Sequence, residues 1–199
     1  MLVSTMCSSM RSFVFRIALL ALSAGWVCAQ AAPPYIQEVP YVPTTPEAVE
    51  AMLKLAGVTA SDVVYDLGCG DGRIVVAAGK LGARGVGVDI DPERVKEARA
   101  NVEKAGVGKL VRIEEGDIYQ ADIRSATVVA LFLLPKVNLQ LRPKLLRELK
   151  PGTRIVSNSF DMGDWRPDKE IMVGDPKQPG SAFSHQLFLW RVPPGGKMK

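Results

Sequence analysis

Three carboxylates, Asp66, Asp89 and Asp117, each stand at or just after a segment that reads as a strand, and the first opens a run of small residues, Asp66-Leu67-Gly68-Cys69-Gly70-Asp71-Gly72. Entered from Val63-Val64-Tyr65, that run reads as a buried strand ending in a glycine-rich turn that opens into a helix. Such a turn lets the backbone press flat against a nucleotide-like ligand. A dinucleotide loop needs G-x-G-x-x-G, with its third glycine under a pyrophosphate. Arg73 stands at that third position and the spacing here is G-x-G-x-G. A strand-end carboxylate at Asp66 would repel a diphosphate and attract a cation, so the chemistry indicated is capture of a nucleotide-like ligand carrying positive charge and no phosphate.

The chain here resembles the class I S-adenosylmethionine-dependent methyltransferases, whose first motif is similar to this string. The resemblance covers two further positions. Gly85-Val86-Gly87-Val88-Asp89-Ile90-Asp91 reads as a second strand, with Asp89 placed to accept both ribose hydroxyl hydrogens. Val111-Arg112-Ile113-Glu114 reads as a third, running into Glu115-Gly116-Asp117-Ile118. The resemblance assigns Asp117 to the adenine amino group and Ile118 to the ring face. It implies S-adenosyl-L-methionine as cofactor, held by Tyr41, Thr44, Asp66, Gly68, Gly70, Gly72, Asp89, Ile90, Asp117, Ile118 and Leu133. The implied fold is an α/β, Rossmann-like, doubly wound seven-stranded sheet, mostly parallel with an antiparallel last strand, in the order 3-2-1-4-5-7-6.

Several elements must position those residues. Pro46 suits the first turn of a helix capped by Thr45, with Ala48, Met52, Leu55 and Ala56 at helical spacing up to Gly57. The Tyr41-Val42-Pro43-Thr44 stretch before it is either a rigid turn or a lid over the cofactor. A helix from about Gly72 to Leu81 follows the glycine loop, and another starts with Asp91 as cap and Pro92 at its first position. Thr127 to Leu133 is an apolar run suited to a central strand. Pro143 is expected to break the next helical pattern in two. Arg154 to Ser157 reads as a fifth strand; Glu170 to Val173 and Gln186 to Trp190 read as a closing antiparallel pair, and the tail from Pro193 should fray.

The 199 residues suffice for one domain with a real core. Residues 1–29 contain no acid, only Arg11 and Arg16 as charges, then the apolar stretch Ile17 to Val27 and the small-residue site Val27-Cys28-Ala29. This reads as a secretory signal peptide, an uncleaved membrane anchor or an organelle presequence being the alternatives. The organisation expected is a leader over 1–29, an extended proline-rich segment over 30–45, the main domain over 46–193 and a tail over 194–199. The leader places the protein outside the cytoplasm or at a membrane, and in the cytoplasm if it is not functional. Losing Arg11 and Arg16 takes the formal charge from +4 to +2. That near-balance gives no electrostatic footprint for nucleic acid. With Cys7 and Cys28 in the leader, Cys69 is left alone, so neither an intrachain disulfide nor a metal cluster is expected in the mature chain.

The segment Ser157-Asn158-Ser159-Phe160-Asp161-Met162-Gly163-Asp164-Trp165 leaves the fifth strand at the carboxyl edge, where ligands bind in such sheets. With Tyr41 to Thr44 and Leu131 to Pro135, it is similar to the lysine methyltransferase family that modifies the ATP synthase c subunit. That resemblance implies protein-lysine methylation, with Tyr41, Asn158 and Asp161 on the substrate side. Each has a plain rival: Asp161 and Asp164 as solvated turn residues, Asn158 as a loop cap, Trp165 as core cover. His185 reads as structural, and Arg73 with Lys80 as a solvated helix face. A small molecule or a lipid remains open as the methyl acceptor, as does an exported binding module that keeps the fold without catalysis.

Overall fold

The computed structural model describes residues 42–174 and 184–196; the leader, the proline-rich segment up to Tyr41, residues 175–183 and the last three residues lie outside them. A seven-stranded sheet runs in the order β3-β2-β1-β4-β5-β7-β6, formed by β1 (Val63–Leu67), β2 (Arg84–Asp89), β3 (Val111–Glu115), β4 (Val128–Leu131), β5 (Arg154–Asn158), β6 (Lys169–Val173) and β7 (His185–Arg191). The first five pair in parallel; β7 is antiparallel to β5 and to β6. Every residue of β1 and of β4 is buried, as a central parallel strand covered on both faces requires. Along β1, Val63, Tyr65 and Leu67 point into the core shared with Leu141 and Leu145, whereas Val64 points into the core shared with Met52 and Ile74. That alternation is the strand period of two.

The helices α1 (Pro46–Ala56), α2 (Arg73–Lys80), α3 (Pro92–Lys104) and α4 (Pro135–Glu148) connect and cover the strands. Their ends follow the expected chemistry. Thr45 Oγ1 accepts from Ala48 N at 3.3 Å and Asp91 Oδ1 from Glu93 N at 2.9 Å, with Pro46 and Pro92 just inside. Gly57 closes α1 at φ 62. Arg154, opening β5, donates to the carbonyls of Ala56 at 2.8 Å and Gly57 at 2.9 Å and pairs with the buried Asp62. One cation thus closes the end of α1 onto the sheet.

Three expectations are corrected. Pro143 lies inside one continuous helix and does not split it. Leu141 and Leu145 on either side of it are fully buried, and their packing outweighs the single hydrogen bond the ring removes. The apolar run after Thr127 is strand only as far as Leu131; Phe132, Leu133 and Leu134 leave the sheet. The chain past Pro193 does not fray at once: Pro194–Gly196 forms a 3-10 turn packed so closely that a Cβ on Gly196 would lie 2.7 Å from the Leu146 carbonyl oxygen.

Candidate functional site

A cavity of about 570 Å³ opens at the carboxyl ends of β1, β2 and β4, a volume ordinary for small-molecule sites. Thr44, Asp66, Gly68, Gly70, Asp89, Ile90, Asp117, Ile118 and Leu133 all line it. The glycine loop is shaped by its own backbone. Gly68, Gly70 and Gly72 have φ of 80, 53 and 77, and the N–H groups of Gly68 and Cys69 both donate to the Val88 carbonyl, at 2.8 and 3.0 Å. Gly68 must also lack a side chain for a second reason, since a Cβ there would sit 2.8 Å from Leu133 Cδ2. Gly72 is not among the lining residues. A Cβ there would meet Ala98 Cβ at 3.0 Å, so this glycine lets α2 approach α3.

Asp89 stitches the loop to β2: Oδ2 accepts from Gly70 N at 2.8 Å and Oδ1 from Asp91 N at 3.0 Å. Each carboxylate oxygen keeps further acceptor capacity, and Asp89 lines the cavity. Asp117 holds its own turn, Oδ1 accepting from Tyr119 N at 2.8 Å. Asp66 is different, since no hydrogen bond or ion pair offsets its burial among the described residues. Burial first, then the charges of Asp89 and Asp71, push its carboxyl from the ordinary 3.8 up to about 8. Burial likewise drives the Cys69 thiol far up, with Asp66 adding to it. That thiol is inert packing against Gly87, where a Cβ would lie 2.8 Å from its Sγ.

On the other side of the cavity the rings of Phe132 and Phe160 stack with centroids 6.2 Å apart and planes inclined by 23°, and Ser159 stands beside them. Two of the three substrate-side residues named from sequence, Asn158 and Asp161, are not in the cavity lining. Asn158 is fully buried and not in the lining, its Oδ1 accepting from Ser159 Oγ at 3.0 Å and meeting His185 Nδ1 at 3.1 Å. Asp161 is exposed and closes a turn by accepting from Gly163 N at 3.0 Å. Tyr41 lies outside the described residues. Trp165 is core cover, its carbonyl accepting from Trp190 Nε1 at 2.8 Å. In the sequence Phe132 and Phe160 stand at the strand exits only as apolar residues; nothing in their spacing singles them out.

Arg73 is not a solvated helix face. Its guanidinium grips Asp71 through Nε at 2.9 Å and Nη2 at 2.6 Å, and Nη1 donates to the Thr44 carbonyl at 2.6 Å. The residue in place of a third glycine therefore ties the segment before α1 to the cofactor-type loop.

The ANTKMT methyltransferase domain matches residues 66–169, from Asp66 through the turn after β5. The chain belongs to that methyltransferase family. It is 50% identical over 160 residues to a protein-lysine N-methyltransferase of Saccharolobus islandicus, covering 79% of this chain and 96% of that protein. It is 37% identical over 131 residues to the adenine nucleotide translocase lysine N-methyltransferase of Mus musculus, and 34% identical over 130 residues to the Xenopus laevis lysine N-methyltransferase named for the ATP synthase c subunit; each match covers 65% of this chain but only 57% of the relative. Among solved structures, an RNA methyltransferase from Salinibacter ruber in complex with S-adenosyl-L-homocysteine superposes with a TM-score of 0.71 at 49% identity, over 77% of this chain and 95% of that one. This methyltransferase has the sheet order, the antiparallel last strand and the glycine loop expected of the class I fold.

Proposed function

We propose that this chain uses S-adenosylmethionine to methylate the side-chain amine of a lysine in a protein. The observation that carries the reading is one cavity combining an acidic glycine-loop floor with an aromatic wall. Two features suit the cofactor: the flat cradle at Gly68, which any side chain would fill, and Asp66, a buried carboxyl short of a cation. S-adenosylmethionine supplies a methyl carbon made electrophilic by a positively charged sulfur. Asp89 offers its remaining lone pairs to ribose hydroxyls, and Asp117 with Ile118 and Ile90 borders the base. The segment 42–44, tied to the loop by Arg73, borders the same cavity.

The acceptor side is argued from charge. Besides Asp66, the cavity is lined by Asp71, Asp89 and Asp117 against Arg73 and Arg94; those two bases are held by Asp71 at 2.6 Å and Glu97 at 2.5 Å, which leaves Asp89 and Asp117 in excess. Such a mouth attracts a lysine and opposes a polyanion. A lysine amine with a free pKa of about 10.4 costs roughly 4.6 kcal/mol to deprotonate at pH 7. Phe132 and Phe160 lower that cost by desolvating the charged form. The relatives named for protein lysine support the same acceptor, and the leader reading adds an exported or membrane-tethered setting, checked by fractionating cells that carry a tagged copy.

The test is transfer of a tritiated methyl group from S-adenosylmethionine to separated protein, RNA and lipid fractions of a cell extract, with acid hydrolysis of the protein. Label recovered as methyl-lysine is the expected result. Label confined to RNA, as the name of the Salinibacter ruber structure suggests for that protein, or to lipid, refutes the acceptor; absence of cofactor binding by calorimetry refutes the whole reading.

A further inference from the structure

The turn after β5 is under strain. Ser159 has φ 65, the one non-glycine residue with positive φ among the described residues, and Phe160 N donates back to the Asn158 carbonyl at 2.9 Å. This closes a γ-turn of the rarer, strained hand, which persists only where its surroundings hold it. The surroundings do so at several points. Ser157 Oγ donates to the Phe160 carbonyl at 2.7 Å, Asn138 Nδ2 to the Asp161 carbonyl at 3.2 Å, and Ser159 N to the Gln186 carbonyl at 2.7 Å. The outcome is that Ser159 and the Phe160 ring face the cavity.

His185, the sole histidine of the chain, is buried at the start of β7 between this turn and the segment before α1. Its Nδ1 lies 3.1 Å from Asn158 Oδ1 and its Nε2 lies 3.4 Å from Thr45 Oγ1. With the Asn158 amide oxygen toward the ring, the directions of these bonds follow. An amide oxygen only accepts, so Nδ1 carries the proton and Nε2 accepts from the Thr45 hydroxyl, whose lone pair already takes the Ala48 N–H at 3.3 Å. Burial lowers the ring's pKa against an opposing pull from Glu47, which keeps it in the neutral form this chain of bonds requires. Asn158 Oδ1 is thereby fixed by two donors, and its Nδ2 is left buried without a partner among the described residues.

We propose that His185 is a positioning residue for methyl transfer, locking the aromatic turn 158–160 on one wall of the cavity to the segment 42–45 on the other. The inference rests on the function argued above. Its ring bridges residues 140 positions apart in sequence, and Thr44 and Ser159, each adjacent to one of its partners, both line the cavity. Cofactor binding and the setting of Phe160 are therefore coupled through one imidazole.

Nitrogen NMR of protein labelled in histidine reads this ring alone, since there is no other. The expected spectrum is the neutral Nδ1–H tautomer, shifting as S-adenosylhomocysteine is titrated in. In calorimetry with S-adenosylhomocysteine, His185→Leu is expected to weaken binding about tenfold, near 1.4 kcal/mol. Thr45→Ser should bind like the native chain, Thr45→Val as weakly as His185→Leu, and the double variant no more weakly than either single one, the non-additivity of a shared link. An Nε2–H tautomer, or His185→Leu binding within twofold of native after a lowered melting temperature, overturns the proposal and makes the ring core filler. The tautomer is read on the native chain, so the test holds even if His185→Leu does not fold. Failure of the native chain to bind S-adenosylhomocysteine at all would instead remove the function on which this inference rests.

Discussion

Asp66 sits where a positively charged cofactor would have to repay its burial, and this makes cofactor affinity depend on pH with a definite sign. The carboxyl is pushed up to about 8 by burial and by its neighbours Asp89 and Asp71, so the empty protein at neutral pH holds it mostly protonated. A cationic ligand favours the carboxylate. Apparent affinity then scales with the ionised fraction, falling about tenfold per pH unit below 8 and about a hundredfold by pH 6. At pH 7 binding should release close to one proton, seen as a dependence of the calorimetric heat on the ionisation enthalpy of the buffer. The ligand's own amine titrates whichever protein is present, so the informative quantity is the difference between the native chain and Asp66→Asn. Folding carries the matching sign. A carboxyl raised from 3.8 to about 8 contributes stability that is complete below 3.8 and is lost as pH rises toward 8, roughly 6 kcal/mol in all at 1.36 kcal/mol per unit. Moving from pH 8 to pH 6 should therefore stabilise the empty native chain by roughly 2 kcal/mol relative to Asp66→Asn. Equal heats in the two buffers, or an affinity difference between native and Asp66→Asn that is flat from pH 6 to 9, would refute the reasoning.

Other expectations follow from single contacts. Gly68→Ala meets both a φ of 80 and a 2.8 Å approach to Leu133; a loss of about 2–4 kcal/mol is expected in urea denaturation. Adding Leu133→Ala should recover only the clash, leaving the backbone cost. Asp89→Ala removes two bonds to loop N–H groups at 2.8 and 3.0 Å, each worth about 1.5–3 kcal/mol, so calorimetry should show S-adenosylmethionine binding weakened a hundredfold or more, and an unchanged affinity would sink the assigned role. Pro143→Ala restores an N–H to the interior of α4 and should raise stability by about 1–3 kcal/mol with transfer activity unchanged.

The glycine-loop half of the cavity was legible because residue type and topology coincide there. Asp66 and Asp89 stand at strand ends that parallel pairing sets side by side, Leu67 opposite Val88, and ligands gather at that edge of such sheets. Thr45, Pro46, Asp91 and Pro92 announced helix starts for reasons local to each residue. Pro143 misled because its penalty is local while the burial of Leu141 and Leu145 is not. Arg73 misled for a related reason: from sequence a cation in the first turn of a helix looks solvated, and only the approach of Thr44 supplies its third bond.

The aromatic wall of the cavity was not legible, and the cause is one backbone angle. The resemblance offers Asn158 and Asp161 as polar contacts, but the turn with its positive φ at Ser159 presents Ser159 and Phe160 to the cavity, with Asn158 buried outside the lining and Asp161 exposed. Serine has no intrinsic preference for that conformation. It is imposed by Ser157, Asn138, Gln186 and the His185–Asn158 bond, groups contributed by three separate elements. The glycine loop is held mainly by its own glycines and by Asp89, whereas the aromatic wall is held by tertiary contacts. Substitutions among those contacts can therefore re-aim Phe160 while the glycine loop keeps its shape, which Ser157→Ala would show as altered methyl transfer with unaltered S-adenosylhomocysteine binding.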